Sequence, residues 1–314
     1  MISVSGFGSF AVNGFGEDGD SKTTFFSILL LSLAWGYNWV FMKIGAIDAA
    51  PLTFAGLRTL LGASCLFLLL FLKHRPIISG RYGELALLGL FNTAIAIGCS
   101  HWALVGEAAN RTVILVFTMP FWTLLLAWPV LDERLDKLQW WAIGVAGVGL
   151  ISILKPWELN DQIVYNAVAI CGSLSWAIAA IITKLLLKRQ PMDLLALTAW
   201  QMIFGSLILL GAAFAIQEPA TLWTSNFITA LVVTGVISTA MGWFLWTHIL
   251  DKLSAGMAGM TTLLVPIVAI TSTSWHLNEP LSTGDIAGTC CVLFGLAVLV
   301  FSSLVTPIVG RENP

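Results

Sequence analysis

The stretch Leu33-Ala34-Trp35-Gly36-Tyr37-Asn38-Trp39-Val40-Phe41-Met42-Lys43 decides the fold of this chain, because it recurs. Leu174-Ser175-Trp176, followed by Lys184, repeats its frame 141 residues later. Pro51-Leu52 and then Leu57 match Pro191-Met192 and then Leu197 at an offset of 140. Ala109, Pro120 and Gly149 match Ala255, Pro266 and Gly295 at an offset of 146, and Leu131-Asp132-Glu133-Arg134-Leu135 matches Leu277-Asn278-Glu279-Pro280-Leu281 at the same offset. So steady an offset predicts two copies of one unit, residues 23–154 and 164–305.

Each copy is immersed in lipid. The chain is 58% hydrophobic and only 10% charged, against about 25% charged in soluble domains. Too few polar side chains remain to clothe a globule in water. About 20 apolar residues cross the hydrocarbon core as a helix, and the sequence meets that length repeatedly. The predicted helices are 24–44, 51–72, 85–104, 109–131, 138–154, 164–184, 194–216, 226–250, 255–275 and 284–305, five in each copy. The runs are continuous rather than alternating, so a barrel of short strands is excluded. The fold class expected is therefore all-α integral membrane, with ten transmembrane helices.

Orientation follows from the basic residues in the short loops. Eleven of the 15 lysines and arginines fall on one side, among them Lys73, Arg75, Arg81, Lys184, Lys188 and Arg189. Lys43, Arg111 and Lys155 fall on the other, and Arg58 lies within the membrane. Both termini are thus expected in the cytoplasm. Five crossings per copy then turn the second copy upside down, the inverted plan of secondary transporters. Residues 1–22, rich in Gly and Ser with Glu17, Asp18 and Asp20 just before the first apolar run, lack the basic start of a signal peptide and read as a disordered cytoplasmic tail. Residues 306–314 form a second cytoplasmic tail. All five cysteines lie inside apolar runs, which argues against disulfides and cysteine metal sites. A net charge of −2 gives no reason to expect nucleic acid as a partner.

With these residues in view, the chain resembles the EamA-type members of the drug/metabolite transporter superfamily. The resemblance rests on Ala34-Trp35-Gly36-Tyr37-Asn38 with Lys43, the Pro51 to Arg58 segment, Ala103-Leu104 before Ala109, Pro120, and Leu131 to Leu135, together with their second copies. It covers nearly the whole chain apart from the ends. It implies a ten-helix fold with a central cavity between the halves, a small-molecule substrate, and export of amino acids or related metabolites from a bacterial inner membrane. The second copy departs from the first at Thr198, where the first has Arg58, and at Pro280, where the first has Arg134.

Arg58 stands seven residues past Pro51, about 10 Å into the bilayer at about 1.5 Å per residue. A charge at the helix centre costs about 2.5 to 3.5 kcal/mol on insertion scales, so it must face protein or water. It either grips a substrate carboxylate in bidentate fashion or locks helices together through carbonyls. Asn38 is expected at a similar depth, sharing a ligand with Arg58 or bonding between helices. Trp35 and Trp176 sit near mid-membrane, away from the interfaces where tryptophan usually gathers, and either wall a cavity or pack helices. Gln201 is the candidate from the second copy. Pro120 and Pro266 are expected to break hydrogen bonding midway along the fourth and ninth helices, for gating or for packing. His101 and His248 read as hydrated residues near helix ends, and Glu133 and Glu279 as structural residues beside loops.

No Asp or Glu lies deep within a predicted helix, where many coupled carriers keep a carboxylate relay, so coupling stays open between uniport, exchange and proton use through His101 or Glu107. No catalytic constellation is present: neither H-E-x-x-H nor paired intramembrane aspartates occur. No cofactor or metal is implied. An antiporter of phosphorylated sugars or nucleotide-sugars is the alternative within transport, but phosphates usually call for clustered bases and only Arg58 is deep. A membrane-embedded enzyme is the alternative from another class.

Overall fold

A computed structural model of the chain describes residues 18–77, 80–132, 137–154, 162–189, 192–262, 264–278 and 283–305. The apolar runs form α1 (Asp18–Gly45), α2 (Pro51–Leu72), α3 (Tyr82–Gly106), α4 (Ala109–Leu131), α5 (Lys137–Leu154), α6 (Gln162–Arg189), α7 (Leu194–Ala215), α8 (Ser225–Lys252), α9 (Ala255–Thr261 and Leu264–Leu277) and α10 (Thr283–Val305). No strand occurs among the described residues. Eight helices, α1 to α4 and α6 to α9, are long and apolar enough to cross a membrane. α1 starts at Asp18, inside the segment expected as a tail. Residues 1–17 and 306–314, Glu133 and Glu279 lie outside the described residues.

Helix pairings recur between the two halves. α2 packs on α7 and α5 on α10, each helix against its own repeat mate. Other major contacts come as matched pairs: α1 with α9 answers α6 with α4, α1 with α8 answers α6 with α3, and α2 with α8 answers α7 with α3. Helix ends repeat too. After α2, His74 at φ 50° donates to Phe71 O while Arg75 N donates to Leu70 O. After α7, Gln217 at φ 54° donates to Phe214 O while Glu218 N donates to Ala213 O. Both ends use a left-handed residue to satisfy carbonyls that the helix leaves open.

Irregularity is placed symmetrically as well. α3 carries a π-helical segment at Gly89–Ile95 and α8 one at Val233–Met241. A wider turn frees carbonyls for lateral bonds. Ser175 Oγ donates to Phe91 O at 2.7 Å, and in the other half Trp35 Nε1 donates to Ser238 O at 2.9 Å. Close approach of α3 and α7 depends on glycine: a Cβ at Gly89 would meet Gln201 O at 2.5 Å, and one at Gly205 would strike the Thr93 side chain.

α4 is continuous only to Val116 and resumes at Met119, while α9 stops at Thr261 and resumes by Leu264. The reason is proline. The ring of Pro120 clashes with the carbonyl four residues back, at Val116, and that of Pro266 does the same at Thr262. Each proline therefore opens the second segment of its helix, and the break lies just before it.

A candidate binding cavity between the halves

Where α1, α2, α3, α4, α6 and α8 meet, the side chains leave a cavity of about 70 Å³. Trp35, Asn38, Arg58, Ser100, Phe117, Trp176 and Trp243 are among the residues that line it. The helical spacing of α1 puts Trp35, Asn38, Trp39 and Met42 on one buried stripe. Phe117 reaches the cavity from the break in α4.

Among the described residues Arg58 is the one charged group of the lining, and it is only 4% exposed. Its Nε donates to Thr239 Oγ1 of α8 at 3.0 Å, and Nη1 lies 3.3 Å from His101 Nε2 of α3. A guanidinium has only donors, so this nitrogen of His101 must accept, which leaves the ring neutral with its proton on Nδ1. Phe54 packs edge-on to the imidazole, with ring centroids 4.9 Å apart. No carboxylate pairs with Arg58 among the described residues.

The cavity is also lined by clustered indoles. Trp35 meets Trp176 at 5.3 Å and Trp243 at 5.0 Å between ring centroids, and Trp176 meets Trp246 at 5.4 Å. These edge-to-face contacts hold the apolar wall in a fixed arrangement. Two polar atoms at the wall are buried without a partner: Asn38 Oδ1, an acceptor, and Trp176 Nε1, a donor. Asn38 Nδ2 donates to Met42 Sδ. Buried polar groups are ordinarily satisfied, and both of these orphans belong to residues that line the cavity.

Trp35, Asn38, Arg58 and Trp176 thus come together, whereas Gln201 does not. Its Oε1 accepts from Asn92 Nδ2 at 3.0 Å at the crossing of α7 and α3, where the carboxamide is consumed in joining helices. His101 is corrected in the other direction. It is 2% exposed beside Arg58 rather than at a hydrated helix end. Thr239 and Trp243 were not legible as site residues, although a threonine recurs at Thr93, 146 residues before Thr239. Pro120 lies beyond Phe117 with Gly259 of α9 seated on it, a Cβ there falling 3.3 Å from Pro120 Cα. Pro266 holds the matching place in α9.

Apolar helices of membrane-spanning length around a central cavity with one deep cation define an integral membrane protein built to receive a small molecule. The pattern of the EamA-like transporter family matches residues 22–155 and again residues 164–301, and the chain belongs to that family. The Bacillus subtilis protein named uncharacterized transporter YoaV is 29% identical over 85% of this chain and 94% of its own length. A Salmonella typhimurium protein named "Probable amino-acid metabolite efflux pump" is 27% identical over 90% of this chain and 96% of its own. An Escherichia coli protein of the same name is 26% identical over 87% and 93%. One solved crystal structure superposes with a TM-score of 0.67 at 12% identity, covering 89% of this chain and 97% of that one, a likeness of fold alone. The chain is a membrane transporter of small molecules and not an enzyme.

Proposed function

We propose that the chain exports an amino acid or a related small metabolite by alternating access through the central cavity, from ten crossings arranged as two inverted five-helix repeats, 23–154 and 164–305. α5 and α10, added to the other eight, bring the crossings to ten. The observation that carries this reading is the cavity itself, lined from both halves by residues that include the buried Arg58 and two side chains with unsatisfied polar atoms, Asn38 and Trp176. Export and a bacterial inner membrane accord with the efflux pumps of Salmonella and Escherichia among the relatives. Both termini lie in the cytoplasm, on the side of the basic cluster of Arg75, Arg81 and Arg189.

Alternating access needs two gates that open in turn, and the paired helices α2 and α7 supply contacts at both ends. At the outer end Glu218 accepts from Leu52 N at 3.0 Å and from Thr53 N and Oγ1, both at 2.7 Å. At the cytoplasmic end Arg75 pairs with Asp193 at 3.1 Å, and Glu84 pairs with Arg81 and Arg189. Exposed ion pairs contribute only about 0 to 1 kcal/mol each, so thermal motion suffices to part them. A pocket for a drug-sized ligand needs about 300 Å³ or more, and the present cavity must widen through such motion. The breaks before Pro120 and Pro266 provide the bending points.

Purified protein in sealed vesicles tests the reading. Flux of at least one compound from a broad amino-acid and metabolite panel down an imposed gradient is expected, and no flux across the panel would remove it.

A further inference from the structure

The cavity holds a positive charge, and among the described residues nothing negative meets it. Arg58 is bonded by two neutral groups, Thr239 and His101, and among the described residues no Asp or Glu is in the lining. The acid nearest in sequence to His101, Glu107, lies at the end of α3, where it caps Ala108 N at 3.1 Å and faces Arg111 at 3.6 Å. An empty site of this kind carries one net positive charge in a low dielectric, and a ligand is selected by what it does to that charge.

We infer that the site takes an organic monoanion, a carboxylate on an apolar body with a neutral hydroxyl or carbonyl beside it, rather than a zwitterionic amino acid or a cation. This rests on the transporter reading and narrows its substrate class. The carboxylate forks onto the Arg58 guanidinium and brings the loaded site to neutrality. Beside it, a hydroxyl can donate to Asn38 Oδ1 or accept from Trp176 Nε1, and a carbonyl can accept from Trp176 Nε1. The apolar body lies against Trp35, Trp243 and Phe117.

An ammonium finds no such place. It would restore the net positive charge with only one carboxamide oxygen to solvate it. The indole faces that otherwise attract cations are met by one another's edges, Trp35 with Trp176 and Trp243, and Trp176 with Trp243 at 5.7 Å. A cation would bring the site to two positive charges.

This charge arithmetic also sets the energetics of the cycle. The loaded carrier is neutral and the empty one positive, so export moves one negative charge outward per turn. An interior-negative membrane potential favours that direction by drawing the empty, positive carrier inward. No coupling ion is required, in keeping with the lack of a carboxylate among the described residues of the cavity lining.

The test uses the full chain in liposomes loaded with 4-methyl-2-oxopentanoate, 2-hydroxy-4-methylpentanoate, leucine or 3-methylbutylamine, and with the same four types on a benzyl skeleton. Within each set only the polar end differs, and protein-free liposomes give the passive leak. The two monoanions are expected to leave at least tenfold faster than the amino acid, and the amine no faster than leak. A potassium diffusion potential, negative inside, is expected to raise monoanion efflux at least threefold. Arg58→Gln is expected to remove the monoanion flux while the unfolding temperature in detergent is kept. Amino-acid efflux equal to or above that of the monoanions, amine efflux above leak, indifference to potential, or an unchanged flux in Arg58→Gln would each overturn the inference and leave the transporter reading standing. No efflux of any probe overturns it too, and the broader metabolite panel then decides the transporter reading on its own.

Discussion

The two halves carry different chemistry at the same place in the same scaffold. In the first, Arg58 of α2 contacts His101 of α3 through Nη1. In the second, the matching residues are Thr198 of α7 and Thr247 of α8, and they contact each other through their hydroxyls at 3.1 Å. Thr198 Oγ1 also donates to Leu194 O at 2.7 Å, which satisfies it inside the helix bundle. The backbone pairing is thus conserved between the halves while one pair faces the cavity with a charge and the other is closed on itself. The tryptophans differ likewise. Trp35 Nε1 is bonded to Ser238 O, and its mate Trp176 has a free Nε1. The helix pairings are symmetric, and the residues that line the cavity depart from that symmetry.

The largest effect in this comparison belongs to Arg58. Hydrogen bonds to charged groups contribute about 1.5 to 3 kcal/mol each, so Arg58→Ala is expected to cut transport by about two orders of magnitude. Insertion and expression stay near normal, because a buried charge without a counter-ion does little for stability. Loss of folded protein in the membrane, measured by detergent extraction and gel filtration, would instead make Arg58 a helix lock.

Next comes Glu218, which caps the start of α2 from the end of α7. Glu218→Ala leaves two backbone N–H groups of α2 without acceptors and is expected to cost about 1 to 2 kcal/mol. The unfolding temperature falls by a few degrees, and a cysteine at Met42 becomes more reactive to a reagent applied outside. Unchanged reactivity would mean that this contact is not part of the outer gate.

The two tryptophans separate binding from packing. Trp35→Phe loses an intramolecular bond and is expected to cost about 1 kcal/mol of stability. Trp176→Phe loses none, so it leaves stability almost unchanged while raising KM several-fold. Equal effects of the two on thermal stability would erase the distinction. The smallest change is expected from Thr198→Val, which removes both partners' need for one buried bond only in part and costs about 1 kcal/mol or less. Its transport rate stays within twofold of the parent protein.

The sequence by itself determined the membrane class, the all-helical build and the doubling of the family pattern, because these follow from long apolar runs and from a repeat offset that needs no contact to be seen. It also singled out Trp35, Asn38, Arg58 and Trp176, since a charge, a carboxamide and mid-membrane indoles are costly in hydrocarbon and must face something other than lipid. Only the tertiary structure decided which of the polar residues face one cavity. Gln201 and His101 lie on similar apolar helices, yet Gln201 is spent on Asn92 and His101 sits against Arg58. That outcome depends on the rotation of each helix about its axis. The rotation is set by packing against neighbours far away in sequence, such as Gly205 on Thr93, and in a helix apolar on every side no hydrophobic stripe records it.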